Sequence, residues 1–185
     1  HGFYYAPVNP DFTAPEGELP PLIVNVHGGP TEAARPGLQV PFQYWTSRGF
    51  AVLDVNFRGS TSFGRPYRQR LNGNWGVMDV QDCIDGAQYL VDLGRVDPKR
   101  IAIRGRSSGG FTVLNALASS EVFTAGASFS GIADLAKLAE TSHKFESHYD
   151  GILLGTDDRS DPVWAQRSPI NRVSHIKAPL MLLQG

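Results

Sequence analysis

The residues best suited to chemistry lie in one short run, Gly105-Arg106-Ser107-Ser108-Gly109-Gly110. A serine is a useful nucleophile only when a base takes its proton and its Oγ is held out toward a reactive carbonyl. The pattern G-x-S-x-G meets the second need where it joins a strand to a helix. The sharp turn lifts the central Ser out, and small neighbours let strand and helix close on each other. Both flanks fit: Arg100-Ile101-Ala102-Ile103-Arg104 is short and β-like, and Phe111 to Ala118 reads as helix. The glycine spacing does not match the dinucleotide pattern G-x-G-x-x-G, and no Lys follows as in a phosphate-binding loop. A second run, His27-Gly28-Gly29-Pro30, follows the buried-type strand Leu22-Ile23-Val24-Asn25-Val26. Paired glycines there free backbone N–H groups to face a developing oxyanion. A tight turn without function is the bland alternative; the presence of the Ser107 run favours the oxyanion reading. Ser107 is the expected nucleophile. The N–H of Ser108 and one from His27, Gly28 or Gly29 are the expected oxyanion donors.

These residues need elements to hold them. Residues 1–8 read as a strand and residues 9–21, rich in Pro, Glu and Gly, as a surface loop. Phe42 to Arg48 reads as a helix closed by Gly49, and Phe50 to Asn56 as the next strand. Residues 57–76 alternate Arg with aromatics; a base-stacking surface for nucleic acid is one reading, and a structured loop turned by its glycines is the stronger. Asp79 to Leu93 has the clearest helical pattern, with Val80, Cys83, Ile84, Ala87, Leu90 and Val91 on one face. Asp79, Asp82 and Asp85 suit the dipole at its start and read as helix-end and surface charges. Phe123 to Phe129 reads as a strand, Ile132 to Glu140 as a helix, and Pro179 to Gly185 as a last strand. Between them, His143 to Trp164 reads as an excursion above the sheet, with Phe145, Tyr149 and Trp164 either pocket or core. Strands alternate with helices, so the class is α/β, a mainly parallel sheet with helices on both faces. His27, Asn56, Ser107 and Ser130 then fall at one edge of it, at the C-terminal ends of strands. A strand-to-helix nucleophile at that edge is the signature of the α/β-hydrolase fold.

Bulk properties narrow the classes further. A chain of 185 residues suits one domain. With 41% hydrophobic and 19% charged residues it is globular rather than disordered. A net charge of −1 argues against a general binder of nucleic acid or anionic membranes. The one cysteine, Cys83, allows no intrachain disulfide, and it sits on the apolar helix face as a core residue. That fits a reducing compartment, and a cytoplasmic location is expected. No apolar run reaches membrane-spanning length, no metal-ligand spacing is present, and no cofactor is expected.

The motifs in order resemble the prolyl oligopeptidase family of serine peptidases, with acylaminoacyl-peptidase and dipeptidyl-peptidase-like members the nearest pattern. The matching stretches are Val26 to Pro30, Asn56 to Thr61, Trp75 to Asp82, Arg95 to Ile103, Gly105 to Gly110, Ser168-Pro169-Ile170, and Pro179 to Gly185. They cover nearly the whole chain. There are departures: many members have Tyr where Ser108 stands, and many have Gly where Ser62 stands. His27 stands where dipeptidyl-peptidase IV-like members carry a Tyr. The resemblance implies a partial α/β-hydrolase domain over residues 1–185, truncated at its C-terminal end. The family's β-propeller and the rest of the hydrolase domain would lie outside the chain. It implies hydrolysis of short peptides or acyl-peptides through an acyl-enzyme. An esterase or dienelactone-hydrolase-like enzyme and a non-catalytic hydrolase-fold module stay open beside it.

A serine triad of this fold runs Ser, acid, His in chain order. After Ser107 come His143, His148 and His175. His175 precedes a strand, which puts it at the opposite edge of a parallel sheet. His143 and His148 fall in the irregular stretch without a positioning partner. The family places both acid and His beyond the strand at Leu180 to Gly185, so both are expected after Gly185. A sheet cut there would expose an edge strand and invite association between copies.

Overall fold

The computed structural model describes residues 1–141 and 148–184. Its elements in chain order are β1 (Gly2–Tyr5), β2 (Leu22–Val26), α1 (Val40–Thr46), β3 (Ala51–Val55), α2 (Arg65–Gln69), α3 (Met78–Asp92), β4 (Ile101–Arg106), α4 (Ser108–Ser119), β5 (Ala125–Phe129), α5 (Leu135–Thr141), α6 (Tyr149–Leu154), α7 (Pro162–Arg167), a 3₁₀ segment (Pro169–His175) and β6 (Leu180–Leu183). The strands form a six-stranded sheet in the order β1-β3-β2-β4-β5-β6. β1 runs antiparallel to β3, and every other pairing is parallel. The chain leaves β2 toward β3 on one side and leaves β4 toward β5 on the other. The crevice where connections diverge therefore opens between the C-terminal ends of β2 and β4, the position where open α/β sheets bind ligands.

Alternation of side chains across the pleat divides the core in two. Leu22, Val24 and Val26 of β2 pack with Leu53, Val55, Ile101 and Ile103 against α3 and α4 on one face. Ile23 and Val52 meet Phe42 of α1 on the other. The α/β-hydrolase arrangement with helices on both faces is borne out. Helix α3 buries Val80, Cys83, Ala87 and Leu90, as their spacing predicts. It closes in a Schellman pair, with Arg95 N–H on Leu90 O and Gly94 N–H on Val91 O, and Gly94 takes the positive φ of 62° that this end requires. Helix α4 is apolar nearly all round because the sheet, α3 and the 3₁₀ segment enclose it.

One row on the second face is polar. Asn25 of β2 stands in register with Asp54 of β3 and Arg104 of β4. Its Nδ2 donates to Asp54 Oδ1 at 2.8 Å. Burial raises the Asp54 carboxyl above its usual range, with the Asn25 bond and the Arg104 charge working against that. The Arg104 guanidinium lies 5.5 Å over the Phe129 ring.

The segment read as a loop over 57–76 contains helix α2, and its Leu71 and Trp75 are fully buried. The expected helix at 132–140 starts three residues later, at Leu135. Among the described residues no helix is long and apolar enough to cross a membrane.

Candidate active site

Ser107 stands between β4 and α4, exposed, with φ 56° and ψ −122°. A non-glycine residue in this region costs on the order of 1–2 kcal/mol, and here the surroundings enforce it. Ser107 N–H donates to Phe129 O of β5 at 2.9 Å, and Ser107 O accepts from Phe111 N–H at 3.1 Å. The backbone is thereby tied on both sides while the hydroxyl faces out. Close approach explains the glycines. A Cβ on Gly105 would lie 2.5 Å from the Gly109 carbonyl, and one on Gly109 would lie 2.7 Å from His27 O and closer still to Val26 O. Strand β2, strand β4 and helix α4 meet here backbone to backbone. Ser108 is the first residue of α4, where a helix N–H has no intrahelical acceptor and the dipole favours negative charge.

The His27–Pro30 loop passes beside this turn. A Cβ placed on Gly28 would lie 3.7 Å from Ser107 Cβ and 3.3 Å from Arg106 O. His27 does not point at Ser107's hydroxyl as a base would. Its Nδ1 lies 2.7 Å from Gly28 O and its Nε2 2.7 Å from Ser60 Oγ. A carbonyl only accepts, so Nδ1 carries the proton and Nε2 accepts from Ser60. The ring stacks on Phe57 at 4.4 Å. Burial lowers its pKa below the usual imidazole range, with the Gly28 carbonyl and Glu32 pulling the other way, so the neutral ring is the stable form. Both ring nitrogens of His27 are thus engaged by neighbours other than Ser107.

The loop after β3 supplies the rest of the support. Asn56 clasps the Ala34 backbone, donating to Ala34 O at 3.1 Å and accepting from Ala34 N–H at 2.9 Å. Thr61 N–H donates to Glu32 O, and Tyr67 OH donates to Asn56 O at 2.7 Å. Arg58 fastens this loop to α3 through a two-nitrogen pairing with Asp82, whose Oδ2 also accepts from Arg58 N–H. From the other side, Thr31 Oγ1 and Tyr149 OH are 2.6 Å apart. Ser60 carries no motif signal beyond its place in a matching stretch, and Tyr67 and Thr31 carry none at all. Their role comes from contacts across tens of residues. Ser60→Ala leaves the partly buried His27 Nε2 without its donor, a cost of about 1–3 kcal/mol. The thermal midpoint of the 185-residue chain is expected to fall by roughly 2–12 °C. An unchanged midpoint would show that this contact does not hold the loop.

The other sequence-derived candidates separate clearly. His148 directly precedes α6 without a capping bond, is exposed, and its Nδ1 lies 3.5 Å from Asp157 Oδ2. His175 is exposed at the end of the 3₁₀ segment, beside the C-terminal end of α4 and so at the opposite edge from Ser107. His143 and Phe145 lie outside the described residues. Trp164 is core, 4% exposed, while Tyr149 is partly buried and reaches the His27–Pro30 loop through Thr31. Among the described residues no histidine hydrogen-bonds Ser107. Asp79 corrects the reading of the early α3 acids as surface charges: it is completely buried. It accepts from Thr112 Oγ1 at 2.5 Å and Gly76 N–H at 2.6 Å. Burial raises its carboxyl to about 6 despite these donors and the N–H groups of Asp79 and Val80.

Comparison with known proteins places this geometry. A solved Mycobacterium tuberculosis puromycin-hydrolyzing peptidase superposes with a TM-score of 0.97 at 48% identity, covering 100% of this chain and 28% of that one. The Pyrococcus horikoshii acylaminoacyl peptidase gives a TM-score of 0.88 at 30% identity over 98% of this chain and 29% of its own. Dipeptidyl aminopeptidase BIII of Pseudoxanthomonas mexicana is 36% identical over 171 residues, 89% of this chain and 25% of that protein. The chain thus spans about a quarter of the length of these relatives. The model of the prolyl oligopeptidase family matches residues 36–185, taking in both the His27-side supports from Asn56 onward and the Ser107 turn. On that match the chain belongs to the prolyl oligopeptidase family.

Proposed function

We propose that the protein carrying this chain is a serine peptidase that cleaves short peptides near one end, of the acylaminoacyl- or dipeptidyl-releasing type, with Ser107 as nucleophile. The observation that carries the reading is the exposed Ser107 at φ 56° between β4 and α4, with Ser108 at the helix start on one side and the Gly28 backbone on the other. Ser107 Oγ bonds to the carbonyl carbon as its proton passes to a histidine base. The carbonyl electrons move to oxygen, which the N–H of Ser108 and one N–H of the His27–Gly29 loop receive. One such donor is worth about 3–4 kcal/mol. The intermediate collapses, the C–N bond breaks, and the amine leaves with the proton. Water then opens the Ser107 ester by the same steps in reverse order.

His27 is committed to Gly28 and Ser60, His148 faces Asp157, and His175 lies at the end of the 3₁₀ segment. The relatives are about four times as long as this chain, and the base and its acid are assigned to parts of the full-length protein outside residues 1–185. No metal or cofactor enters this scheme. The sole cysteine, buried Cys83, fits a cytoplasmic setting, and exposed Leu182 and Leu183 on β6 suit burial by further chain or by a second copy.

The chemistry does not by itself divide amide from ester. Turnover by the full-length protein is to be compared across acyl-amino-acid anilides, dipeptidyl anilides, puromycin and p-nitrophenyl esters. The proposal expects kcat/KM to be highest on one of the amide classes. A preference confined to esters would make the protein a carboxylesterase instead, and no turnover of any class would leave the fold as a binding module.

A further inference from the structure

We propose that Asp79 is a positioning residue for Ser107, clamping the first turns of α4 to the Trp75–Gly76 turn and, through it, to the segment that bears Tyr149. The proposal rests on the reading of Ser107 as nucleophile.

A carboxylate with no exposed surface needs several donors, and Asp79 has drawn them from separate elements. Gly76 N–H comes from the loop before α3, and Thr112 Oγ1 comes from α4. Thr112 has one proton and two acceptors in reach: the carboxylate at 2.5 Å and Ser108 O, one turn back, at 3.2 Å. The shorter, charge-assisted bond takes it. Thr112 is four residues beyond Ser108, so the carboxylate acts on the turn whose N-terminal residue is the proposed oxyanion donor. A helix could satisfy this Thr internally by its i−4 carbonyl. Here its orientation is set from outside.

The Gly76 side of the clamp reaches further. The Trp75 ring lies 4.5 Å from that of Phe111 on α4, and a Cβ on Gly76 would lie 3.0 Å from Phe111 Cζ. Trp75 O accepts from Arg167 Nη1 of α7 at 2.7 Å. Gly73 N–H and Trp75 N–H donate to Ile152 O and Leu153 O of α6. Helix α6 begins at Tyr149, whose hydroxyl meets Thr31, the residue that follows the His27–Pro30 loop. Asp79 is thus the point where the support of the nucleophile and the support of the oxyanion loop join. Among the described residues, Cys83 on its own helix and Arg167 from α7 are the titratable groups that feel its charge.

Thr112→Val and Asp79→Asn test this. Both keep the side-chain outline, and neither residue touches substrate. In the full-length protein, the rate of Ser107 phosphonylation by a fluorophosphonate, per folded molecule, is expected to fall about 10–100-fold, the range for small misplacements of a reacting group. KM should change less than about threefold. Rates per folded molecule within twofold of wild type, whatever the melting temperature, would reduce Asp79 to a stabilising residue and overturn the proposal. If wild-type Ser107 takes no label, the nucleophile reading fails separately. Amide exchange in the 185-residue chain then decides: selective acceleration at Phe111 and Thr112 in Thr112→Val supports the clamp, while uniform or absent change overturns it.

Discussion

Ser107→Ala in the full-length protein is expected to lower peptide turnover by on the order of 10⁵–10⁶-fold, the scale on which losing a triad serine is felt. The loss should be almost wholly catalytic. The Ser107 side chain is exposed and makes no capping bond to α4, and Ala occupies the same strained backbone. The ties that enforce that backbone, Ser107 N–H to Phe129 O and Phe111 N–H to Ser107 O, are main-chain bonds and survive the change. The thermal midpoint should therefore stay within about 2 °C, because surface changes away from special contacts lie within about 0.5 kcal/mol. A small residual rate over water is expected from the oxyanion donors alone. A variant that keeps more than a few per cent of wild-type kcat would move the nucleophile elsewhere.

Gly109→Ala is expected to be the most damaging single methyl in the chain. Its Cβ would sit 2.7 Å from His27 O and nearer still to Val26 O, and both neighbours are backbone atoms of the central strand and the loop it feeds. Overpacking against side chains costs about 1–3 kcal/mol because they swing aside. Here β2 would have to leave β4, to which Val26 is paired through Gly105, or α4 would have to lift off the sheet. A cost of about 4 kcal/mol or more follows, in the range reserved for such mechanisms. The melting temperature of the 185-residue chain should drop by roughly 8–16 °C. A drop under about 3 °C would show that strand and helix are not locked in the way the close contacts imply. Where Ser107→Ala separates function from stability, Gly109→Ala should remove both together.

The site's frame was legible because it is written locally. The strand-turn-helix pattern around Ser107, the buried strand before His27, and the alternation of strands with helices all lie within short windows of chain. Helix α3 matched its apolar spacing to within one residue at each end. The failures share one physical cause: partners distant in sequence. Asp79 looked like an acid placed for the helix dipole, and only Thr112, 33 residues on, makes it a buried joint. A signal existed, since Asp79 shares its helix face with Cys83 and Leu90, four and eleven residues on. The run from Phe57 to Trp75 read as loop because its glycines are local and its anchors, Asp82 for Arg58 and the α6 carbonyls for Gly73 and Trp75, are not. Ser60 likewise gained its meaning from a histidine 33 residues earlier.

The polar row Asn25, Asp54 and Arg104 works as an alignment key for the sheet. Apolar strands can slide along one another by two residues with little change in which face they bury, whereas a slide of one residue turns every side chain to the opposite face. For β3 that slip would drive Asp54 into the cluster around Val24 and Ile103, where no donor awaits it. Only one pairing of β3, β2 and β4 keeps amide, carboxylate and guanidinium side by side. Asn56, His27 and Ser107 follow directly on these same three strands, two or three residues beyond that row. Fixing the row thus fixes the relative heights at which they emerge, so three residues near the strand ends keep the separate parts of the site level with one another.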